Sequence, residues 1–155
     1  LNPTTVALEF ESRTQLLIEA YADLSGRDDA RLAKLANHGM TIDALVEASL
    51  LAVPRTNARV KHAGVWVALV SAAEDDVAAK RALRQFNERV ANNIRELLTR
   101  AVDEGVLGPS TDVTTQALLV HAMLDGFSVQ IIGSGSPTKP MIRDALSAHF
   151  RSLAP

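Results

Sequence analysis

From Thr111 to Ile132 the chain offers a helix that is apolar on every side, and a water-soluble chain can accommodate such a segment in few ways. Val113, Leu118, Leu119, Val120, Met123, Leu124, Phe127, Val129, Ile131 and Ile132 fall all round the helical wheel. One face can pack on the protein's own core. The other needs a second cover, because a large contiguous apolar patch is rarely left in water. The last helical stretch, from about Lys139 to Leu153, adds Ile142, Ala145, Leu146, His149, Phe150 and Leu153. Two antiparallel helices paired with the same two from a second copy make a four-helix interface with two-fold symmetry. The expected assembly is a homodimer, with Leu118, Phe127, Ile131, Ile142, Leu146, His149, Phe150 and Leu153 at its interface.

The remaining sequence reads as helices separated by short polar breaks, with no alternating strand pattern. The expected elements are Pro3–Leu8, Arg13 to about Asn37, a Thr41-capped helix that stops before Pro54, and Asn57 to Ala73. They continue with Asp75 or Asp76 to about Glu104, Ser110 or Thr111 to about Ile132, and the last helix. The Val60–Ser71 stretch is apolar nearly all round, so its helix is expected to be buried on several sides. Gly39 suits a left-handed helix end, Gly105 closes the long helix, and Gly133-Ser134-Gly135-Ser136-Pro137 reads as a flexible break. The prediction is an all-α chain of about seven helices. Its 47% hydrophobic content with only 4% aromatic implies an aliphatic interior. The absence of cysteine excludes disulfides and thiolate chemistry. No apolar run is expected to approach the length of a membrane span and no signal peptide opens the chain, so the reading is a cytoplasmic protein without a membrane partner. A formal charge of −2 gives no overall attraction to nucleic acid.

The first residues carry the most specific motif. Asn2 is a good helix cap and Pro3 fits the first helical position. Phe10 follows the short helix. Ser12-Arg13-Thr14-Gln15 then fits a capping box, with Gln15 reaching back toward Ser12. A short helix, an aromatic residue and a capped helix with a basic first turn are what ends a helix-turn-helix domain. Residues 2–21 resemble the end of the DNA-binding domain of TetR-family transcriptional regulators. Thr5, Val6, Phe10, Ser12, Arg13, Leu16 and Leu17 match the family's pattern, whereas Ala7 stands in place of its usual tyrosine and Glu9 and Glu11 add negative charge. The resemblance implies that residues 1–24 end the helix-turn-helix domain and that 25–155 form a ligand-binding and dimerisation domain of TetR-like fold. It also implies that the natural protein extends further at its N-terminus, by roughly one to two short helices. Asn2, Pro3, Thr4, Thr5 and Arg13 are the expected DNA contacts; hydroxyls and a guanidinium near helix starts position a protein on phosphates.

Candidates for a small-molecule site lie on the later helices. Trp66, with His62 a turn before and Val70 a turn after, offers a pocket wall for an apolar or cationic ligand, or a core tryptophan. His121 and Asp125 share a helix face, as a ligand-orienting pair or as a polar pair within the bundle. Phe86, Asn92 and Met123 complete the expected lining. No cofactor, metal site or catalytic residue is expected: His121 and Asp125 supply only two metal ligands. The reading is a DNA-binding regulator, a repressor by family habit, whose operator affinity responds to a small ligand. Two rivals stand beside it. One is a helical module without specific DNA binding, favoured by Ala7, Glu9 and Glu11. The other is a small all-α enzyme using His121, Asp125 and Ser128.

Overall fold

The computed structural model describes residues 13–23, 39–54 and 56–155. Within them the chain is helical, with no strand: α1 (13–23), α2 (Ile42–Leu51), α3 (Asn57–Ala72), α4 (Val77–Asp103), α5 (Val113–Ser134) and α6 (Lys139–Arg151). The predicted Pro3–Leu8 helix, residues 24–38 of the second helix and the Ser12 half of the capping box lie outside the described residues. The Gln15 amide donates to Glu19 at 2.6 Å.

Local chemistry sets the helix ends. Thr41 accepts from the Ala44 amide (3.0 Å) and Thr56 from that of Arg59 (3.3 Å), each satisfying a donor that the first turn leaves unpaired. Asp76 caps α4 through one carboxylate oxygen, which accepts from Ala78 and Ala79. Asp112, not Ser110 or Thr111, caps α5; its carboxylate reaches the Thr114 and Thr115 amides and also accepts from the Thr115 hydroxyl. At the far end of α4, Gly105 adopts φ +73°. The Val106 amide donates to Ala101 and the Gly105 amide to Val102, the paired closure that a left-handed glycine permits. Helix α5 runs through Gly133 and stops at Ser134, where Gly135 (φ +71°) supplies the left-handed cap.

Helix α4 is the spine. At 27 residues it is about 40 Å long. It packs along α5, and α3 lies against both. Helices α2 and α6 pair beside them, joined by the Arg143–Glu47 ion pair. The main core draws Leu45, Val46 and Leu50 from α2, Ile94, Leu98 and Ala101 from α4, Ala117, Val120 and Leu124 from α5, and Ile142, Leu146 and Phe150 from α6. A second, smaller cluster joins α1 to the opposite half of α4. Leu69, Ala79, Ala82 and Phe86 meet Leu17, Ile18 and Tyr21 there.

Three expectations change. Helix α3 is not buried on several sides. Among the described side chains only Leu69 is fully enclosed, and Lys61, His62, Val67 and Val70 face solvent, because among the described residues α3 packs chiefly on α4 and α5. Ile142, Leu146 and Phe150, expected at the dimer interface, are at most 1% exposed in the protomer's own core, so they have no surface left for a second copy. Helix α5 also proves long and apolar enough to cross a membrane by length and composition. In this fold its Ala117, Val120 and Leu124 are core residues instead, yet most of its surface stays outside the protomer's core.

Phe150 sits where α2, α4, α5 and α6 converge on one cluster. Phe150→Ala should therefore destabilise the fold by about 3–5 kcal/mol, read as a lower midpoint in urea denaturation.

Candidate functional site

Two regions carry features beyond packing. The first is the junction of α1 with α4. The Thr14 hydroxyl donates to Asp76 Oδ2 at 2.6 Å. Two turns along α1, the Tyr21 ring meets the Phe86 ring edge-on at 4.8 Å, a geometry that matches ring edge to ring face. The Arg89 guanidinium covers that ring at 5.2 Å. The hydrogen bonds from Thr14 and from the Ala79 and Ala78 amides hold the Asp76 carboxyl below its ordinary pKa. Arg13, the expected phosphate contact, is exposed beside Thr14 at the start of the described part of α1. Asn2, Pro3, Thr4 and Thr5 lie outside the described residues.

The second region is the flank and outer face of α5. His121 Nε2 and Asp125 Oδ2 are 3.7 Å apart. Burial pushes the Asp125 carboxyl above its ordinary pKa, and the imidazole opposes that rise. The Ser128 hydroxyl is buried and donates to the Leu124 carbonyl at 2.8 Å, so it is engaged with backbone and not with the His121–Asp125 pair. On the face opposite Ala117, Val120 and Leu124, apolar side chains are bare: Leu118 is 68% exposed, Leu119 46% and Val129 52%. Met141, at the start of α6, is also exposed. Phe127, Ile131, His149 and Leu153 are half-buried and keep part of their surface.

Helices α1, α3, α4 and α5 meet around the expected lining. Helix α1 joins α3 and α4 through the smaller cluster, and α5 packs on both α3 and α4. The expected lining residues are dispersed in depth. Phe86 is buried, Trp66 and Met123 are half-buried, and His62, Val70 and Asn92 are exposed. Asn92 is taken up by its neighbour Arg95, which donates to it at 2.6 Å. The Gln116 carbonyl oxygen and His149 Nε2 are buried with no hydrogen-bond partner among the described residues, a state that costs free energy unless another group completes it. A separate open groove of about 380 Å³ lies between α2 and α6, lined by Asp43, Arg143, Asp144, Ser147, Ala148 and Arg151. No three His, Asp or Glu side chains converge as a metal site among the described residues.

Two features are not marked by sequence pattern in the same way. The Thr14–Asp76 bond spans 62 positions, and no local pattern announces it. Leu119 and Val129 are recognisably apolar and exposed, but no expectation singled them out. Their place on the helical wheel, opposite the core positions, is the signal that identifies them.

Burial raises the Asp125 pKa, so the carboxyl holds its proton more tightly in the folded state than in the unfolded one. The stability this lends is complete below the ordinary Asp pKa and is lost as pH rises through the raised value. Asp125→Asn should flatten that decline in a series of urea titrations across pH. His121→Ala should raise the Asp125 pKa further, read from its carboxyl carbon resonance.

Residues 41–155 match the C-terminal domain family of BetI-type transcriptional repressors. The fold is similar to that of a transcriptional regulator from Rhodococcus sp. Rha1, with TM-score 0.79 and 21% identity over 99% of this chain and 79% of that one. It is equally similar to a crystal structure from Rhodococcus sp. assigned to the TetR family of transcriptional regulators, with TM-score 0.80 and 19% identity over 100% of this chain and 82% of that one. No curated protein sequence matches the chain.

Proposed function

This chain belongs to the TetR family of transcriptional regulators, with the C-terminal domain of the BetI-type repressors, and from that premise we propose that it is a homodimeric, cytoplasmic repressor whose operator affinity a small ligand controls. Residues 1–24 end the DNA-reading domain and 25–155 sense the ligand and dimerise. The observation that carries the reading is the bare apolar face of α5. A second copy covers it with the same face, giving the self-complementary contact of a two-fold dimer. Leu118, Leu119 and Val129 lie at the centre of that contact, and Phe127, Ile131, His149 and Leu153 contribute at its margins.

Two-fold symmetry also suits the DNA. Paired recognition helices reach half-sites about 34 Å apart, or a multiple of that. The ligand lies among α1, α3, α4 and α5, with Trp66, Phe86 and Met123 as apolar contacts and the His121–Asp125 pair as the polar one. It acts by favouring a head spacing that no longer fits the operator, so ligand and DNA weaken each other by the same factor, typically about 5- to 150-fold. The enzymatic alternative has little support, because Ser128 is committed to the Leu124 carbonyl.

Titrating the full-length protein against promoter DNA at two salt concentrations tests the reading. A sequence preference and a steep salt dependence are expected, and a flat, sequence-blind response would refute it. Arg13→Ala should weaken binding to all sequences alike and reduce the salt slope by about one for each phosphate that Arg13 neutralises. Leu118→Glu places a charge in the dimer contact. It should abolish specific operator binding while circular dichroism shows unchanged helix content.

A further inference from the structure

Asp76 and Asp112 do the same local job, and they differ in one respect that bears on DNA recognition. Each caps its helix through a single carboxylate oxygen, Oδ1. At Asp112 the second oxygen is satisfied three residues on, by the Thr115 hydroxyl at 2.6 Å. The corresponding position after Asp76 is Ala79, which has no hydroxyl. Oδ2 of Asp76 accepts instead from Thr14, on α1. Capping does not require that bond. What the bond does is fix α1 against the N-terminus of α4.

Helix α1 is thereby held at two points. Leu17, Ile18 and Tyr21 lie in an apolar cluster with Phe86. Such contacts resist separation but are not directional, so they tolerate sliding and tilting. Thr14 lies about 5 Å from Leu17 and about 10 Å from Tyr21 along the helix, next to Arg13, and its hydrogen bond is directional. We propose that the Thr14–Asp76 hydrogen bond locks the register and tilt of α1, making Asp76 a positioning residue for operator recognition. This rests on the reading that the segment preceding α1 docks on DNA. Pre-setting α1 removes motion that docking would otherwise have to freeze, which favours the specific complex. Non-specific binding, governed by phosphate charge, does not depend on it.

The test is fluorescence anisotropy of the full-length protein on a selected genomic operator and on random duplex. Thr14→Val removes the lock and leaves the cap. Asp76→Ser keeps a capping oxygen but has none to spare for Thr14. Each should weaken operator binding by about five- to tenfold, with random-duplex binding, helix content and thermal midpoint close to wild type. The double variant should be no weaker than the worse single variant, and Thr14→Ser should restore affinity. Unchanged operator affinity in Thr14→Val would overturn the proposal. So would losses that add in the double variant, since these would mean that Thr14 touches DNA itself. A wild-type protein that prefers no operator over random duplex would instead overturn the functional reading, and the positioning role with it.

Discussion

The structure depends on a conflict within one helix. Helix α5 supplies Ala117, Val120 and Leu124 to the protomer's core and presents Leu118, Leu119 and Val129 on the opposite side. A helix that is apolar all round cannot be satisfied by a single layer of neighbours. The protomer covers one face with α4, α3 and the core side chains of α2 and α6, and on the described surface the other face remains uncovered. Full burial of each such side chain is worth about 1.5–3 kcal/mol. In the proposed dimer, a second copy presenting the same side chains would recover part of that stabilisation from both protomers at once.

The long helix α4 turns this core into a frame for α1. A carboxylate ties each of its ends to an earlier part of the chain. At the C-terminal end, Glu104 accepts from the Met40 amide at 2.7 Å and pairs with Arg100. At the N-terminal end, Asp76 accepts from Thr14. The Met40 and Arg100 bonds hold the Glu104 carboxyl below its ordinary pKa, as the Thr14 bond does for Asp76. Both carboxylates therefore stay ionised, and act as fixed acceptors, well below neutral pH. Between these ties, the Tyr21–Phe86 contact keeps α1 against α4. These contacts tie α1 to α4 at more than one point.

Periodicity and end chemistry made most of the fold legible. Thr41, Asp76 and Gly105 occupy helix ends that their neighbours announce, and three- and four-residue spacing located each helix within the described region. Depth was harder to read. Ile142, Leu146 and Phe150 are apolar on one stripe of α6, and a stripe alone does not say whether its partner is the same chain or another copy. It faces α2, α4 and α5 of the same chain. His62 and Val70 share a helix face with Trp66, but α3 lies at the edge of the bundle, where that face meets solvent in part. Periodicity cannot report such a position. The Thr14–Asp76 bond was invisible because it joins residues far apart in sequence through a side chain already explained by its capping role.

If the outer face of α5 closes on an identical face, the protein in solution is a dimer. Sedimentation equilibrium of the unmodified protein at micromolar concentration tests this most directly. A single species of twice the chain's mass is expected. A species of one chain mass at that concentration would contradict it.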